Sequence, residues 1–197
     1  MRLVLASRNP NKARELGDVL VGWDVQPLAT DADPPEETGA TFVENARIKA
    51  VFGREHACSG DWVAGEDSGL EADGLGGAPG IRSARFAGED ATDAENLALL
   101  LDRLDGLDGP DRRGRYVCEL VALSPDGREV RSRGTLEGSI GHEPRGREGF
   151  GYDPVFVPDG EERTVAELGD AWKAQNSHRA RAARGLVRAL KGAGAPE

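Results

Sequence analysis

The segment from Arg115 to Ile140, RYVCELVALSPDGREVRSRGTLEGSI, decides the fold. Its first part is dominated by apolar and β-branched residues, which is typical of a buried strand. The SPDG in its middle is a turn signal, because Pro, Asp and Gly each favour tight-turn backbone conformations. The segment therefore predicts a long antiparallel hairpin whose strands are Arg115–Leu123 and Arg128–Ile140.

On both sides of this hairpin the chain alternates between strand-like and helix-like segments. Short apolar runs predict strands, and apolar residues at helical spacing predict helices. The predicted strands are Arg2–Ala6, Asp24–Leu28, Trp62–Glu66 and Leu70–Ala72, and the predicted helices are Asn11–Val21, Ala40–Ala57, Thr92–Leu104, Val165–Leu168 and Ser177–Leu190. We therefore predict an α/β fold, an elongated mixed β-sheet flanked by helices. We expect residues 1–197 to form a single domain of two lobes with a central active-site groove.

The composition excludes several classes of protein. The chain has 197 residues, with 25 Lys and Arg against 35 Asp and Glu, for a net charge of −10. Nucleic acids and anionic membranes favour basic proteins, so neither is an expected partner. No apolar run approaches the roughly 20 residues of a membrane helix, and the N-terminus lacks the apolar region of a signal peptide. We predict a cytoplasmic protein.

Lysine is scarce among the basic residues. Only four of the 25 are lysines, at positions 12, 49, 173 and 191, and the other 21 are arginines. A compact ammonium group and a planar guanidinium are not interchangeable at a crowded phosphate site. A GC-rich coding sequence is one explanation of this bias, and the question is why four positions stayed lysine. Two of them, Lys12 and Lys173, fall in the motifs described next.

The first motif, Ser7-Arg8-Asn9-Pro10-Asn11-Lys12, joins the first predicted strand to the first predicted helix. Asn9 suits the N-cap and Pro10 the first helical position. The free N–H groups of a helix N-terminus bind anions, and a lysine in the first turn gains from a bound anion. The motif indicates a phosphate site, with an ordinary capped helix and a solvated lysine as the alternative.

The second motif, Glu66-Asp67-Ser68-Gly69, follows an apolar strand. Adjacent carboxylates at a strand end can hold Mg²⁺ together with phosphate oxygens and waters, or one of them can deprotonate an attacking water. The alternative is an ordinary turn. Glu36 and Glu37, in the acidic loop before the second helix, offer further oxygen ligands, although that loop taken alone reads as solvated.

Two more motifs lie towards the C-terminus. In Gly149-Phe150-Gly151-Tyr152-Asp153-Pro154, two glycines allow close backbone approach and the aromatic ring offers a face for a purine. The alternative is a structural aromatic corner. Lys173 and the helix start Ser177-His178-Arg179 could donate to phosphates or to a base oxygen, with a capped surface helix as the alternative.

Taken in order, these motifs resemble those of the ITP/XTP pyrophosphatase family. The family pattern includes E-E-T-G-x-T-F-x-E-N-A, D-D-S-G-L, L-G-G-x-P-G-x-x-S-A-R, G-F-G-Y-D-P and S-H-R. The present chain reads EETGATFVENA, EDSGL, LGGAPGIRSAR, GFGYDP and SHR, after an opening SRNPNK where the family has T-G-N-x-x-K. The resemblance runs from Leu3 to about Leu190, and six ordered motifs are far more specific than any one alone.

The resemblance implies Mg²⁺-dependent hydrolysis of ITP, dITP or XTP to the nucleoside monophosphate and pyrophosphate. It implies that Asp67 is the catalytic carboxylate, acting on water and also touching Mg²⁺. It makes Glu36 the other metal ligand, with Glu37 in that role if the loop register is shifted by one. It further implies a homodimer.

The resemblance also assigns the substrate contacts. A site that hydrogen-bonds the 6-oxo group of hypoxanthine and xanthine would discriminate against the amino group of adenine. Lys49 is a weaker candidate for a phosphate contact. The assigned residues are Ser7, Arg8, Asn9, Pro10, Asn11, Lys12 and Lys173 for the triphosphate, Ser68 for the substrate, Phe150, Gly151, Tyr152 and Asp153 for stacking and orienting the base, and His178 and Arg179 for the 6-oxo group.

The chain departs from the family pattern at two positions. Arg8 replaces a glycine of the opening loop, and Glu66 replaces the first Asp of D-D-S-G. Two other functions stay open at this point. One is a non-catalytic protein that binds or senses nucleotides, which the retention of Glu36, Glu37 and Asp67 disfavours. The other is a sister pyrophosphatase with a different preference among pyrimidine or modified nucleotides.

Overall fold

The chain folds around a six-stranded sheet in a computed structural model that describes residues 1–7 and 9–192. The strands are β1 (Arg2–Leu5), β2 (Asp24–Pro27), β3 (Trp62–Ala72), β4 (Arg113–Leu123), β5 (Glu129–Ile140) and β6 (Phe156–Pro158). The helices are α1 (Pro10–Val19), α2 (Phe42–His56), α3 (Asp93–Arg103), α4 (Val165–Leu168), α5 (Asp170–Asn176) and α6 (His178–Gly192). Within residues 1–7 and 9–192, no helix has the length and apolar character needed to cross a membrane.

The sheet is mixed, as the sequence predicts. Its strand order is β2-β1-β3-β4-β5-β6, with β1 parallel to both β2 and β3, and β5 antiparallel to β6. The predicted hairpin is confirmed, since β4 and β5 are neighbours joined by a tight turn. In that turn the Ser124 N–H donates to the Arg128 carbonyl at 2.9 Å. Gly127 supplies the positive φ of 86° that the turn requires.

Three elements differ from the sequence prediction. The two strands predicted at 62–66 and 70–72 are one continuous strand, β3, so that Asp67 and Ser68 lie inside a strand and not at its end. Adjacent carboxylates such as Glu66 and Asp67 are typical of exposed turns. Here they are buried within a strand, because cationic side chains pair with them. The short strand β6 and the helix α5 were not predicted, since each is too short to show a hydrophobic period.

By its contacts the chain divides into two compact units. Unit 1 comprises residues 1–67, 118–134 and the chain from 179 onward, and unit 2 comprises residues 68–117 and 135–178. In unit 1 alternate residues of β4 belong to two separate core clusters, because side chains alternate across a strand. The first cluster contains residues of α1 and α6, and the second contains residues of α2. The sheet of unit 1 therefore carries α1 and α6 on one face and α2 on the other.

Unit 2 has its own core, which is centred on aromatic and leucine side chains. Its buried members are Leu70, Ala72, Leu100, Leu104, Tyr116, Leu136, Ile140, Tyr152, Val155, Phe156 and Val165. A buried arginine ties the loops at one end of this core. The Arg112 guanidinium is 5% exposed and donates to the carbonyl oxygens of Ile140 at 2.8 Å, Leu104 at 2.9 Å and Gly141 at 2.6 Å.

We expect Arg112→Met to lower the free energy of unfolding by about 3 kcal/mol, because it leaves two buried carbonyl groups and a partly buried one without their donor. Urea denaturation measures this change. Arg103→Met, at an exposed position of α3, is the control and should change stability by less than about 0.5 kcal/mol. Equal stability of the two variants would contradict a structural role for Arg112.

Candidate active site

Asp67 lies in the middle of β3 and is 6% exposed. Both of its carboxylate oxygens are held by residues of α2. Lys49 Nζ donates to Oδ1 at 2.8 Å, and Asn45 Nδ2 donates to Oδ2 at 3.3 Å. Positions 45 and 49 are four residues apart on a helix, so both side chains project from one face toward the strand. The carboxylate is therefore fixed in orientation.

The Lys49 ammonium also joins Asp67 to the acidic loop. It forms an ion pair with Glu37 Oε1 at 2.7 Å and donates to the Glu66 carbonyl at 3.1 Å. Glu37 is partly buried, whereas Glu36 is exposed. The structure thus brings together Glu37, Lys49 and Asp67. This favours Glu37 over Glu36 as the carboxylate near Asp67.

Burial and pairing act in opposite directions on these charges. Burial raises the pKa of the Asp67 carboxyl, and the positive charge of Lys49 only partly offsets this, so that the pKa stays above its usual value. For Lys49, burial lowers the pKa, but attraction to Asp67 and Glu37 outweighs burial and the pKa is raised. Lys49 therefore stays charged, while Asp67 is a stronger base than an exposed aspartate.

A glycine on β3 allows α2 to pack directly against that strand. A Cβ at Gly65 would meet the carbonyl oxygen of Ala46 at 1.9 Å and the amide nitrogen of Ala50 at 2.5 Å. The start of α2 is fixed by a capping box between Thr41 and Glu44. One turn later, Asn45 Oδ1 accepts the Gly39 N–H at 2.8 Å. The same side chain therefore holds the acidic loop and Asp67.

Glu66 lies on the opposite face of β3 from Asp67, because successive side chains of a strand alternate. It is 2% exposed, and its partners come from other elements. Glu66 Oε2 pairs with Lys12 Nζ at 3.2 Å, and Oε1 accepts from Arg179 Nη2 at 3.2 Å. The two adjacent carboxylates thus have separate partners, which corrects the interpretation of Glu66 and Asp67 as a joint pair at a strand end.

Arg179 and Cys118 complete the surroundings of Glu66. Arg179 also pairs with Glu15 of α1. Burial lowers the pKa of this guanidinium, yet the two carboxylates outweigh burial and hold its pKa above the usual value. The Cys118 thiol lies 3.7 Å from Glu66 Oε1, and burial raises its pKa, so that it remains a neutral donor.

The opening loop is described only in part. Ser7 is partly buried, and its Oγ accepts the Asn9 N–H at 3.2 Å. Arg8 and the side chains of Pro10 and Asn11 lie outside the described residues. Lys12, in the first turn of α1, is placed by its pairing with Glu66. The structure therefore brings Lys12 and Arg179 to one carboxylate, which the sequence did not indicate.

In unit 2 the candidate residues surround Asp153. Its Oδ2 accepts from Lys173 Nζ at 2.8 Å and from the Phe150 N–H at 3.0 Å. The Lys173 ammonium also lies 4.2 Å from the centroid of the Phe150 ring, in a cation–π contact. Phe150 is 39% exposed, so that its ring remains available for stacking. The structure brings Phe150, Asp153 and Lys173 into one group, whereas the resemblance assigns Lys173 to the triphosphate.

The remaining candidates of unit 2 are held by contacts of their own. The Tyr152 hydroxyl donates to the Ser83 carbonyl at 2.8 Å, and the Gly151 N–H donates to Asp93 Oδ2 at 2.8 Å. The His178 imidazole is stacked on the Tyr116 ring. Ser68 is partly buried on β3.

Two residues of these groups, Asn45 and Tyr116, were not among the predicted site residues, and Lys49 was a weaker candidate for a phosphate contact. Asn45 and Lys49 are four residues apart, so a helix places them on one face. The sequence does not show which strand that face contacts. Tyr116 lies in a strand whose apolar pattern gives no sign that its hydroxyl contacts Asp153. Neither signal separates a site residue from a core residue in one sequence.

The fold and these groups define an α/β protein with a buried carboxylate–lysine site. The chain matches the model of the Ham1 family over residues 3–189, and it belongs to that family. A dITP/XTP pyrophosphatase of an Exiguobacterium species (strain ATCC BAA-1283 / AT1b) is 46% identical over 190 residues, which cover 94% of this chain and 95% of the relative. A dITP/XTP pyrophosphatase of Thermus thermophilus (strain ATCC 27634) is 45% identical over 194 residues, with 97% and 92% covered.

Solved structures agree with this assignment. The Staphylococcus aureus Ham1 protein superposes with a TM-score of 0.86 at 37% identity, covering 98% of this chain and all of that chain (100%). A nucleoside-triphosphatase / dITP/XTP pyrophosphatase from Mycobacterium abscessus superposes with a TM-score of 0.72 at 40% identity, with 99% and 98% covered. The α/β fold class and the family resemblance are both confirmed.

Proposed function

We propose that this protein hydrolyses the aberrant purine nucleoside triphosphates ITP, dITP and XTP between the α- and β-phosphates, and so removes them from the nucleotide pool. The full-length similarity to dITP/XTP pyrophosphatases supports this substrate class. The observation that carries the proposal is the buried Asp67 carboxylate, oriented by Asn45 and Lys49. A carboxylate held in this way can accept a proton from an attacking water.

The donor set fits Mg²⁺. Glu37 and Asp67 both contact the Lys49 ammonium, which places two carboxylates near each other. No group of three or more His, Cys, Asp or Glu side chains suited to a metal occurs among residues 1–7 and 9–192. Mg²⁺ is commonly held by one or two carboxylates, with substrate phosphates and waters as the other ligands. When bound, it would supply positive charge to the phosphate oxygens.

In the proposed reaction a water oxygen forms a bond to the α-phosphorus while the bond from that phosphorus to the bridging oxygen breaks. Pyrophosphate leaves with the electron pair of that bond, and the proton of the water passes to an Asp67 carboxylate oxygen. Lys49 keeps Asp67 ionised before this step. Phosphoryl transfer depends on positioning and charge neutralisation, which suits the ammonium groups present.

The triphosphate would be bound by Ser7 to Lys12, including Arg8, with Lys173 adding charge. Lys12 pairs with Glu66 in this structure. A substrate phosphate would therefore either share the Lys12 ammonium with Glu66 or replace Glu66 as its partner. Phe150 would stack on the base with Gly151, Tyr152 and Asp153 shaping the loop, and Ser68 would contact the substrate. His178 and Arg179 would donate to the 6-oxo group. The metal ligands in this proposal are Asp67 with Glu36 or Glu37, of which the contact of Glu37 with Lys49 supports the latter.

A substrate panel tests this function. With Mg²⁺ present, the kcat/KM values for ITP, dITP and XTP should be at least about a hundredfold above that for ATP. Adenine has an amino group in place of the 6-oxo group, so binding ATP would leave the donors of the site without an acceptor. Chelation of Mg²⁺ should abolish turnover. Equal rates for all purine nucleotides would refute the specificity, and no turnover of any would refute the enzyme.

We expect Lys49→Met to move the acid limb of the kcat/KM profile to higher pH. The Asp67 carboxyl must be ionised to accept a proton, and its pKa is already raised by burial. Loss of the Lys49 charge removes the main factor that lowers this pKa. Activity would then be lost at a higher pH as the solution is acidified. Arg47→Met, which removes an exposed cation of α2 that pairs with Glu129, should leave the limb in place.

We further propose a cytoplasmic homodimer that binds neither nucleic acid nor membranes. The net charge of −10 supports the absence of these anionic partners. The dimer rests on the family resemblance alone. Sedimentation equilibrium tests it, and a single species with the 20.9 kDa mass of one chain would refute it.

A further inference from the structure

Tyr116 is a buried phenol on β4 with two distinct contacts. Its ring is stacked on the His178 imidazole, with centroids 4.7 Å apart and planes at 10°. Its hydroxyl donates to Asp153 Oδ1 at 3.2 Å. Burial, followed by the charge of Asp153, raises the pKa of this phenol, so that it remains a donor. One side chain thus touches two residues that the proposed function assigns to the nucleotide base.

The hydroxyl is the third donor to one carboxylate. Asp153 also accepts from Lys173 Nζ and from the Phe150 N–H. A buried carboxylate is costly unless its oxygens are paired and hydrogen-bonded. Because the Tyr116 hydroxyl occupies Oδ1, Oδ2 is left for Lys173 and Phe150. The hydroxyl therefore helps to fix the backbone that carries the exposed Phe150 ring.

The stacking contact acts on the other base-recognition element. An imidazole can turn about its side-chain bonds, and its donor direction then turns with it. A parallel aromatic neighbour restricts this rotation, and Tyr116 is itself held from another side by Phe156, with ring centroids 4.7 Å apart and planes at 55°. A phenylalanine would fill the same core volume. The hydroxyl is thus the part of Tyr116 that packing alone does not require.

We propose that Tyr116 is a positioning residue for base recognition: its ring sets the plane of the His178 imidazole, and its hydroxyl holds Asp153 so that Lys173 and Phe150 are fixed. This inference rests on the proposed function. It assigns Tyr116 to base binding and not to the chemical step, because its contacts are with His178 and Asp153. Its removal should therefore weaken substrate binding and base selection more than it slows turnover.

Two variants separate the hydroxyl from the ring. Tyr116→Phe keeps the stack and removes one hydrogen bond to a charged acceptor, and it should raise KM for ITP about fivefold with kcat within twofold. Tyr116→Leu removes both contacts and should raise KM further, while lowering the kcat/KM ratio of ITP over ATP about tenfold. Leu100→Ala, at a fully buried residue of α3 in the same core cluster, is the control. It disturbs the same core, and it should lower Tm but keep the selectivity ratio.

The outcomes decide the proposal. A wild-type KM in Tyr116→Phe together with wild-type selectivity in Tyr116→Leu would overturn it. So would equal changes in all three variants, since that pattern indicates loss of stability only. A lower kcat with unchanged KM would also overturn it, because the effect would then lie in chemistry and not in binding.

A readout without turnover keeps this test separate from that of the proposed function. The chain has only three histidines, so the Hε1 proton of His178 can be identified in an NMR spectrum by its loss in His178→Gln. Its ring-current shift should be retained in Tyr116→Phe and lost in Tyr116→Leu. If the wild-type protein fails to hydrolyse ITP, the proposed function fails, and this shift still decides whether Tyr116 stacks on His178, the contact on which the positioning depends. An unchanged shift in Tyr116→Leu would refute the positioning.

Discussion

Replacing Asp67 by asparagine should lower kcat for ITP by about a thousandfold, within the range that a positioned general base contributes. The amide has nearly the same size and can still accept from Lys49, but it cannot take a proton from water. Since Asp67 is buried, bulk water does not readily take over its role as the proton acceptor. Steady-state kinetics at saturating ITP and Mg²⁺ measure the loss.

A second carboxylate of β3 is the control for this variant. Glu71 pairs with Arg115 at 2.6 Å near the surface, and Glu71→Gln should leave kcat within about twofold, because exposed ion pairs contribute little. Thermal unfolding of Asp67→Asn should show a folded protein. More than a tenth of wild-type turnover in Asp67→Asn would exclude Asp67 as the proton acceptor.

Gly65→Ala should disrupt stability and activity together. The new Cβ would lie 1.9 Å from the Ala46 carbonyl oxygen, and backbone atoms of a helix cannot yield as a flexible side chain can. Helix α2 would have to move away from β3, at a cost of about 3 kcal/mol of unfolding free energy. Lys49 and Asn45 would move with it, and a misplacement of about 1 Å can cost about a hundredfold in rate.

The control for this variant is another glycine of unit 1. A Cβ at Gly60 meets nothing within 4 Å, so Gly60→Ala should retain both Tm and kcat. Urea denaturation and ITP turnover are measured for both variants. If Gly65→Ala keeps wild-type stability and turnover, the close packing of α2 on β3 does not set the site.

The lysines of the chain share one feature. Each of the three whose side chains are described pairs with a buried carboxylate, Lys12 with Glu66, Lys49 with Asp67 and Lys173 with Asp153. Arginines occur both at exposed positions such as 103 and at buried positions such as 112 and 179. These three lysines therefore lie at buried carboxylates of the protein itself. The sequence analysis predicted phosphate at these positions, and that stays a prediction.

The sequence alone was sufficient for the larger features of the fold. The hairpin 115–140 was predictable because its turn and its apolar strands are local signals. The continuity of β3 was not, since Glu66 and Asp67 resemble turn residues until their cationic partners are known. For the same reason the two carboxylates could not be assigned to opposite faces of the sheet.

For the candidate site, the motifs predict which residues to consider but do not show their contacts. Lys49 and Asn45 meet Asp67 only because Gly65 lets α2 approach β3, and such an approach is a property of the packed molecule. Likewise, the resemblance placed Glu36 ahead of Glu37 as the metal ligand, and no local feature of the sequence decides between them. Both residues are glutamates in the same acidic loop, so the sequence pattern is the same whichever one faces Asp67. The contact of Glu37 with Lys49 distinguishes Glu37 from Glu36.

The most direct test of the central claim is the identity of the products formed from ITP. Phosphorus NMR of the reaction with wild-type protein and Mg²⁺ should show inosine monophosphate and pyrophosphate appearing in equal amounts, with no inosine diphosphate. The same spectrum recorded with Asp67→Asn should remain that of ITP. Release of orthophosphate with inosine diphosphate, or an unchanged ITP spectrum with the wild-type protein, would contradict the account.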